Sequence, residues 1–261
     1  MSGAPPRLSL VVPCYDEAER LDADAFLAFA RAHDGLRLCF VNDGSRDATA
    51  ARLEQLAGAL PERIAALHLP ANRGKGAAVR HGLRAERAFA PRYLGYWDAD
   101  LASPLSFALT LADHLDAHPE LLLAAGSRVL MLGRPIHRRA ARHYLGRVAA
   151  TFVSLALRAP VYDSQCGAKL LRNGPALDAL LEEPFASRWL FDVELLARIA
   201  RTEPGAPAEV LERRVHELPL PAWSDVGGSK VRVVDLLALP TELFRIWREG
   251  RSSLPGSASR S

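Results

Sequence analysis

Apolar runs alternate with segments of helical periodicity through the first half of the chain. The apolar runs are Leu8–Cys14, Leu36–Val41, Ile64–Leu69, Tyr93–Trp97 and Leu121–Ala125. The helical segments between them are Ala23–Ala32, Asp47–Leu60, Gly76–Phe89 and Leu105–His118. Consecutive strands joined by a helix lie parallel in one sheet, because the crossover packs that helix against a face of the sheet. The pattern therefore predicts an α/β fold with a mostly parallel sheet flanked by helices.

The alternation becomes less regular in the second half. The pattern there predicts a helix over Arg138–Leu157, an irregular segment over Val161–Leu171, a helix over Trp189–Arg201, an edge strand over Val210–Leu218 and a last helix over Pro240–Glu249. We predict a single domain over residues 1–250, in which 8–128 bind a nucleotide and 129–250 complete the pocket on the acceptor side. Residues 251–261, rich in Ser, Gly and Arg, are predicted to be a disordered tail.

Composition and charge limit the classes of partner. The chain has 261 residues, of which 49% are hydrophobic and 24% charged, with a formal net charge of +3. These proportions are usual for a globular domain, and the charge is too small to indicate a nucleic-acid partner. No stretch approaches the roughly twenty apolar residues of a membrane-spanning helix, and no signal peptide is evident. We therefore expect a cytoplasmic protein without a spanning helix.

Cysteines and histidines give no strong sign of a metal or disulfide site. Cys14, Cys39 and Cys166 are far apart, odd in number and without a CxxC pair, which suits a reducing compartment. His114 and His118 are four residues apart in a predicted helix, but no HExxH motif accompanies them. A solvated helix face explains these two histidines better than a metal pair does.

An acidic pair follows the Tyr93–Trp97 strand directly. Asp98 and Asp100 are one residue apart, so both carboxylates could reach one hard divalent cation, Mg²⁺ or Mn²⁺. Open α/β sheets bind their ligands beyond the carboxyl ends of the strands, where this pair is predicted to lie. The alternative is that the two carboxylates only cap the helix that begins near Pro104. The DxD pattern alone does not decide between them.

Three loops follow the first three predicted strands and should converge near this pair. Acidic side chains in Pro13–Glu17 could accept hydrogen bonds from a base or ribose, or could form an ordinary polar turn. Asn42–Asp47 places a carboxylate where doubly wound folds bind ribose or base, although its sequence is also common in turns. Asn72–Gly76 combines glycines, two cations and a helix start, which describes an anion site or a solvated Gly-rich loop. It is neither a P-loop nor a GxGxxG motif.

Taken together and in this order, the motifs resemble those of the inverting family 2 glycosyltransferases. That family has a GT-A fold, a Rossmann-like, mostly parallel sheet flanked by helices, with a C-terminal subregion on the acceptor side. The later motifs are most similar to those of its dolichyl-phosphate glucosyltransferase and mannosyltransferase branch. The resemblance covers about Leu8 to Trp247 and rests on VVPCYDEAE, VNDGSRDAT, NRGKGAAVRHG, DAD, GSR, VYDSQCGAKLLR, RWLFDVELL and DVGGSKV.

The resemblance implies a nucleotide-sugar donor, UDP-glucose or GDP-mannose, and a divalent metal on its diphosphate. It assigns the nucleotide pocket to Pro13, Tyr15, Glu17, Asp43, Arg73 and Lys75. It assigns the Mg²⁺ or Mn²⁺ site to Asp98 and Asp100. The catalytic groups it implies are Asp100, Arg128 and Asp163.

The same resemblance implies an acceptor side built by the second half of the chain. Phosphate groups would face Arg128 and one of Arg138, Arg139 or Arg142. Asp163, Gln165 and Lys169 would line the acceptor side. Trp189, Asp192 and Glu194 match the family's WxFDxE pattern, of which Trp189 and Asp192 would bind substrate. Two positions depart from the family pattern. Ala102 stands where mannosyl relatives often have Gln, which favours the glucosyl branch, and Ala168 stands where an aromatic residue usually follows CG.

These residue types suit transfer to a phosphate acceptor. An inverting transfer requires in-line attack on the anomeric carbon and stabilisation of the departing nucleotide diphosphate, which a divalent ion can supply. A phosphate monoester is already an anion near neutral pH, so cations that position it matter more than a strong general base. Arg138–Arg147 could be such a cationic segment or simply a solvated basic helix face. RWLFDVELL could equally be a buried amphipathic helix with one solvated acid.

We therefore predict glucosyl transfer from UDP-glucose to polyprenyl phosphate by a peripheral protein at the cytoplasmic membrane face. The Pro240–Glu249 helix, with Leu243, Phe244 and Trp247 on one face, is the predicted membrane contact, and core packing is its alternative. Other possibilities are a soluble sugar or phospho-acid acceptor and a non-catalytic nucleotide-sugar-binding protein. A haloacid-dehalogenase-type phosphatase is disfavoured, because its DxD should follow the first strand. Protein partners and oligomeric state are left open.

Overall fold

A computed structural model describes residues 4–130, 132, 135–137 and 140–224 of the chain. Several predicted features lie outside the described residues. They are the final helix Pro240–Glu249, the predicted tail at 251–261, and Arg138 and Arg139.

Within the described residues, seven strands form one sheet in the order β3-β2-β1-β4-β7-β5-β8. The strands of the first half are β1 Leu8–Cys14, β2 Leu36–Asn42, β3 Ile64–His68, β4 Tyr93–Trp97 and β5 Leu123–Ser127. The later strands are β6 Ile136–His137, β7 Ala168–Arg172, β8 Val215–Pro219 and β9 Trp223–Ser224, of which β6 and β9 form a separate parallel pair. All pairs in the large sheet are parallel except the two that β7 makes. The predicted mostly parallel α/β fold is confirmed.

Helices cover both faces of this sheet. They are α1 Ala23–Ala32, α2 Thr49–Ala59, α3 Lys75–Glu86, α4 Phe107–Ala117, α5 Ala140–Leu157, α6 Pro175–Glu182, α7 Phe191–Ile199 and α8 Pro207–Arg214, with a 3₁₀ turn at Arg87–Phe89. One apolar cluster joins α1, α2 and α4 to the sheet, and another joins α3, α5, α6 and α7 to it. The central strands β1 and β4 are therefore buried on both sides, as their continuous apolar runs predict.

Strand β7 enters the sheet in the opposite direction to its neighbours. It lies between β4 and β5, with Ala168 opposite Trp97, the last residue of β4. Because β7 begins where β4 ends, the segment before it, Val161–Gly167, lies at the carboxyl edge of the parallel strands. The sequence predicted only an irregular segment over Val161–Leu171, and its last residues are instead a central strand.

A further segment differs from the sequence prediction by more than one or two residues at its ends. The predicted edge strand Val210–Leu218 is helical in its first half, where Pro207 begins α8, and becomes strand β8 only at Val215. Proline is favoured in a first helical turn, and Val210 and Leu211 are buried there. Helix α6 and the short strands β6 and β9 were not predicted. Among the described helices, none combines the length and the apolar character needed to cross a bilayer.

Candidate active site

The loops after β1 and β2 are bonded to each other at the carboxyl edge of the sheet. Asp43 donates its N–H to the carbonyl of Cys14 at 2.8 Å. Asp16 donates its backbone N–H to the Ser45 hydroxyl at 3.0 Å, and its carboxylate accepts from the Arg46 N–H at 2.8 Å. Asp16 adopts a positive φ of 47°. The two predicted nucleotide loops therefore form one connected rim.

The carboxylate of Asp43 organises the loop that follows β3. Its two oxygens accept the backbone N–H groups of Arg73 at 2.7 Å and Gly74 at 2.8 Å, and the residue is buried. Desolvation raises the pKa of Asp43, although these two hydrogen bonds oppose the rise. The sequence makes the Asn72–Gly76 loop a candidate anion site. Two of its backbone N–H groups instead donate hydrogen bonds to the Asp43 carboxylate. Asp43 is therefore placed to shape the loop, and its contact with the nucleotide stays a prediction.

The acidic pair lies at the end of β4 beside a lysine from the start of α3. The Nζ atom of Lys75 is 2.5 Å from Oδ1 of Asp98. Asp100 accepts the N–H of Ala102 at 3.1 Å, and the turn is completed by Leu101 with a φ of 52°. Helix α4 begins at Phe107, after the N-cap residue Ser106, so the capping alternative does not hold.

The electrostatics at this pair suit a divalent cation. Burial, together with the negative charge of Asp98, raises the pKa of Asp100. Burial alone would also raise the pKa of Asp98, but the Lys75 ammonium outweighs it and lowers that pKa. A cation between the two carboxylates would relieve their repulsion, and the side chain of Asp98 is 37% exposed and so within reach. Asp98 and Asp100 therefore fit Mg²⁺ or Mn²⁺ chemically.

Gly167 leaves the space that Asp98 occupies. A Cβ atom at position 167 would lie 1.9 Å from Oδ2 and 2.1 Å from Cγ of Asp98. The pairing of Ala168 with Trp97 places Gly167, which directly precedes β7, across from Asp98, which directly follows β4. Any larger residue would displace the carboxylate. The sequence showed this glycine only as part of the CG motif, without a reason for it.

Arg128 and Asp163, both predicted to be catalytic, form a two-pronged ion pair. Nε of Arg128 lies 2.7 Å from Oδ2 of Asp163, Nη2 lies 2.6 Å from Oδ1, and the Arg128 N–H also donates to Oδ2 at 2.9 Å. Burial by itself would raise the pKa of Asp163, but Arg128 holds it at about 2. A carboxylate of that pKa stays ionised and accepts a proton poorly. The geometry favours Asp163 as the group that orients Arg128.

Glu217 of β8 holds the backbone around Asp163 in place. The sequence did not identify this residue. Its carboxylate accepts the N–H of Tyr162 at 2.7 Å and that of Asp163 at 2.6 Å. Desolvation raises the pKa of Glu217 despite these bonds. With Asp163, Lys169 and apolar side chains from α7 and α8, Glu217 lines a cavity of about 90 Å³ beneath the Val161–Gly167 segment.

Lys169 and Asp192, both predicted to bind substrate, lie buried beneath the site. The ammonium of Lys169 donates to Oδ1 of Asp192 at 2.6 Å and to the carbonyls of Ser164 at 3.0 Å and Cys166 at 2.5 Å. Tyr96 also donates its hydroxyl to Asp192. Only 1% of the Lys169 side chain and 4% of that of Asp192 are exposed. These contacts hold the segment before β7 in place, and the two side chains are buried away from any open surface. We call the Lys169–Asp192 pair, with its bonds to Ser164 and Cys166, the clamp.

The remaining predicted residues are distributed around the rim. Glu17 is buried in a salt bridge with Arg20, with an Oε1–Nη2 distance of 2.6 Å, and its charge contributes to the raised pKa of Asp100. Pro13 is half-buried near the end of β1. The half-buried residues Tyr15 and Trp189 and the exposed residues Arg73 and Gln165 lie in loops. Glu194 bonds to Arg198 at 2.6 Å and to the N–H of Ala186 at 2.9 Å, which is a structural arrangement. Arg142 lies in α5, but its side-chain position is not described, and Arg138 lies outside the described residues.

The loop after β3 packs directly on the segment before α7. A Cβ atom on Gly76 would lie 2.7 Å from Cβ of Phe191, and one on Gly74, whose φ is +95°, would lie 2.9 Å from Cβ of Arg188. Arg188 also donates to the side chain of Asn72, and its carbonyl accepts the Gly76 N–H at 3.3 Å. Two motifs far apart in sequence, NRGKG and RWLF, therefore form one wall of the site.

Comparison with known proteins identifies the class of this site. The sequence pattern of glycosyl transferase family 2 matches residues 9–168. A dolichyl-phosphate beta-glucosyltransferase of Drosophila melanogaster is 32% identical over 261 residues, covering 92% of this chain and 74% of its own. One from Trichomonas vaginalis is 29% identical over 250 residues, covering 91% of this chain and 70% of its own.

Solved structures share the fold. Glucosyl-3-phosphoglycerate synthase from Mycobacterium tuberculosis, in complex with Mn²⁺, UDP and glucosyl-3-phosphoglycerate, superposes with a TM-score of 0.64 at 16% identity, covering 97% of this chain and 82% of that one. A further mycobacterial protein gives a TM-score of 0.67 at 18% identity, covering 97% and 77% of the two chains. These neighbours have the GT-A fold. Together with the sequence match and the carboxylate pair at the sheet edge, they lead to one conclusion: the chain is a glycosyltransferase that belongs to glycosyl transferase family 2.

Proposed function

We propose that this enzyme transfers glucose, with inversion, from UDP-glucose to polyprenyl phosphate. The observation that carries the proposal is the carboxylate pair Asp98 and Asp100, set between Lys75 and Gly167 at the carboxyl edge of the sheet. The sequence relatives named dolichyl-phosphate beta-glucosyltransferases, which match more than nine-tenths of the chain, support the donor and the acceptor.

In the proposed reaction, an acceptor phosphate oxygen attacks the anomeric carbon as the bond to UDP breaks. Asp98 and Asp100 would hold Mg²⁺ or Mn²⁺, which when bound neutralises charge on the departing diphosphate. Arg128, held by Asp163, would bind a phosphate group and keep it in line for attack. Because the phosphate is already an anion, the reaction requires no strong base, which agrees with the low pKa of Asp163.

The exposed face of α5 supports the membrane part of the proposal. Val148, Phe152 and Leu155 are spaced four and three residues apart and are 54%, 54% and 69% exposed. The opposite face of α5 is buried through Val153 and Leu157. α5 also carries Arg142 and Arg147. An exposed apolar stripe on a helix that carries arginine is typical of a helix that lies in a membrane interface. We therefore propose a peripheral protein on the cytoplasmic membrane face that contacts lipid through α5.

A two-by-two assay of donor and acceptor tests the activity. The purified full chain is incubated with Mn²⁺ and either labelled UDP-glucose or labelled GDP-mannose. Each donor is paired with polyprenyl phosphate or with a soluble phospho-acid such as 3-phosphoglycerate. We expect label in the organic phase only with UDP-glucose and the lipid.

The other outcomes separate the alternatives. Label that stays in the aqueous phase, with product formed from the phospho-acid, would replace the lipid acceptor with a soluble one. Lipid labelling from GDP-mannose would change the donor. UDP binding without turnover on any acceptor would mean that the chain only binds the nucleotide sugar.

A further inference from the structure

Three histidines from two elements meet at the opposite end of the sheet from the carboxylate pair. His114 lies in the last turn of α4, His118 is the C-cap residue directly after it, and His216 lies on the edge strand β8. His216 pairs with Ala124, near the start of β5, whereas Asp98 follows the end of β4. The cluster is therefore separate from the candidate active site.

The three rings are close enough to share one ion. Their centroids are 4.4, 5.2 and 5.4 Å apart, and Nε2 of His114 is 2.9 Å from Nδ1 of His216. One nitrogen from each ring lies within 4.8 Å of one nitrogen of both others. Zinc binds imidazole nitrogen at about 2.0–2.1 Å, so ligands at tetrahedral angles lie about 3.3 Å apart. The His114–His216 nitrogen distance of 2.9 Å is close to that value, and the other nitrogen pairs lie within 4.8 Å, so ring rotations could bring all three to one ion.

We propose that His114, His118 and His216 bind a zinc-class transition-metal cation that ties the end of α4 to the edge strand β8. Imidazole suits Zn²⁺, Co²⁺, Ni²⁺ and Cu²⁺. Three histidines leave a fourth position for water, and the half-buried rings leave access for the ion. The sequence favoured a solvated helix face because the third ligand comes from a distant strand.

The surroundings of His114 favour its neutral form, which is the form that binds metal. Burial, together with the neighbouring His118 and His216, lowers the pKa of His114. Glu120 lies 3.3 Å from Nδ1 of His118. A carboxylate that accepts from one ring nitrogen directs the other nitrogen to a metal and fixes the ring orientation, as in many zinc sites.

The chemistry of the two sites allows them to be titrated separately. Asp98 and Asp100 offer oxygen ligands, which suit Mg²⁺, whereas the histidine cluster offers only nitrogen. We would strip the full chain with a chelator, saturate it with excess Mg²⁺, and titrate it with Zn²⁺ by calorimetry and with Co²⁺ by visible absorption. We expect one equivalent of either metal to bind, with Co²⁺ bands typical of nitrogen coordination and a raised melting temperature.

Substitution of single histidines tests whether the bound equivalent of Zn²⁺ lies at the histidine cluster. His118→Gln and His216→Gln should each raise the Kd for Zn²⁺ at least about tenfold, since each removes a ligand. His81→Gln changes an exposed histidine on α3 and is the matched control, which should bind Zn²⁺ as the wild type does. Asp100→Asn should also leave this Zn²⁺ equivalent unchanged.

Three results would overturn the proposal. The first is that the wild type takes up no Zn²⁺ or Co²⁺ in the presence of Mg²⁺. The second is that Asp100→Asn abolishes the Zn²⁺ equivalent, which would assign it to the acidic pair. The third is that His216→Gln and His118→Gln bind Zn²⁺ with unchanged Kd. If circular dichroism shows that a variant is unfolded, the Co²⁺ spectrum of the wild type decides by itself.

Discussion

Gly167 lies where β7 passes the end of β4, and the absence of a side chain there makes room for Asp98. A Cβ atom would lie 1.9 Å from Oδ2 of Asp98, a distance that neither group can accommodate without moving. Because Asp98 is part of a short strand end with its neighbour Trp97 fully buried, the carboxylate is the group that must move. The proposed metal binding at Asp98 would therefore depend on a glycine in another segment.

We predict that Gly167→Ala weakens Mn²⁺ binding about 10- to 100-fold, as loss of a supporting residue does at other metal sites. Free Mn²⁺ measured by electron paramagnetic resonance checks this. Gly58→Ala is the control, because Gly58 lies in α2 with nothing within 4 Å of an added Cβ, and it should bind Mn²⁺ normally. Normal Mn²⁺ affinity in Gly167→Ala would show that Asp98 is not a ligand.

We predict that Asp100→Asn keeps the fold and loses most turnover. The raised pKa of Asp100, caused by burial and by the charge of Asp98, means that removing one negative charge relieves repulsion and does not destabilise the protein. The same change removes a metal ligand. Melting temperature and glucosyl transfer, each measured with and without EDTA, check both parts. Wild-type turnover in the variant, or full activity of the wild type in EDTA, would contradict the assignment.

Because of Asp163, we expect the free energy of unfolding to decrease as the pH falls into the acid range. Its folded pKa of about 2 lies below the usual unfolded value of about 3.9. A depressed pKa stabilises the fold above the unfolded value, and that contribution is lost as pH falls through the folded value. Linkage gives roughly 2–3 kcal/mol of stability at neutral pH, of which roughly half is gone by pH 3.

Urea unfolding at several pH values checks this prediction. We expect the difference in unfolding free energy between the wild type and Asp163→Asn to be largest near pH 6 and to shrink towards pH 3. A difference that does not change with pH would mean that the Arg128–Asp163 pair does not shift the pKa in this way.

Strand β7 is held in place by a buried charge pair beneath the site. Lys169 satisfies the carbonyls of Ser164 and Cys166 and the carboxylate of Asp192, so one side chain fixes both the strand and the segment before it. That segment carries Asp163, which orients Arg128. The clamp therefore connects the interior of the fold to Arg128, the residue proposed to bind phosphate.

We predict that Lys169→Met destabilises the protein by roughly 3–5 kcal/mol, because it leaves Asp192 buried without a cation. The double variant Lys169→Met with Asp192→Asn should recover part of that loss, since it removes the unpaired charge. Urea denaturation measures both. The role of the clamp would be refuted if the single variant were within about 1 kcal/mol of the wild type, or if the double variant were the less stable of the two.

The whole protein is proposed to meet a membrane through α5 without crossing it. Its apolar stripe of Val148, Phe152 and Leu155 lies beside Arg147, whose guanidinium stacks 3.9 Å above the ring of Tyr162. Arginine near such a stripe favours anionic headgroups, so binding should weaken as salt rises. The other predicted contact, Pro240–Glu249, lies outside the described residues and remains a prediction.

We predict that the intact chain floats with anionic liposomes at low salt and that Phe152→Glu plus Leu155→Glu prevents this. The control is Gln55→Glu plus Ala59→Glu, which adds the same charge at exposed positions of α2 and should still float. Circular dichroism of each variant must match the wild type. Equal flotation of all three proteins, or none by the intact chain at low salt, would exclude α5 as the membrane contact.

The amino-acid sequence by itself determined the strand–helix alternation, the mostly parallel sheet and the acidic pair after β4. These follow from periodicity among neighbouring residues, so Tyr93–Trp97 and Ala23–Ala32 matched the structure to the residue. It did not predict β7, because the place of that strand depends on pairing with the distant strands β4 and β5.

Only the tertiary structure determined which side chains lie next to each other at the edges of the sheet. It brought Gly167 across from Asp98, turned Lys169 inward onto Asp192, and joined His216 to the end of α4. Each of these contacts links segments far apart in the chain. Local sequence specifies which residues prefer a strand or helix, whereas strand register and helix packing specify which side chains meet.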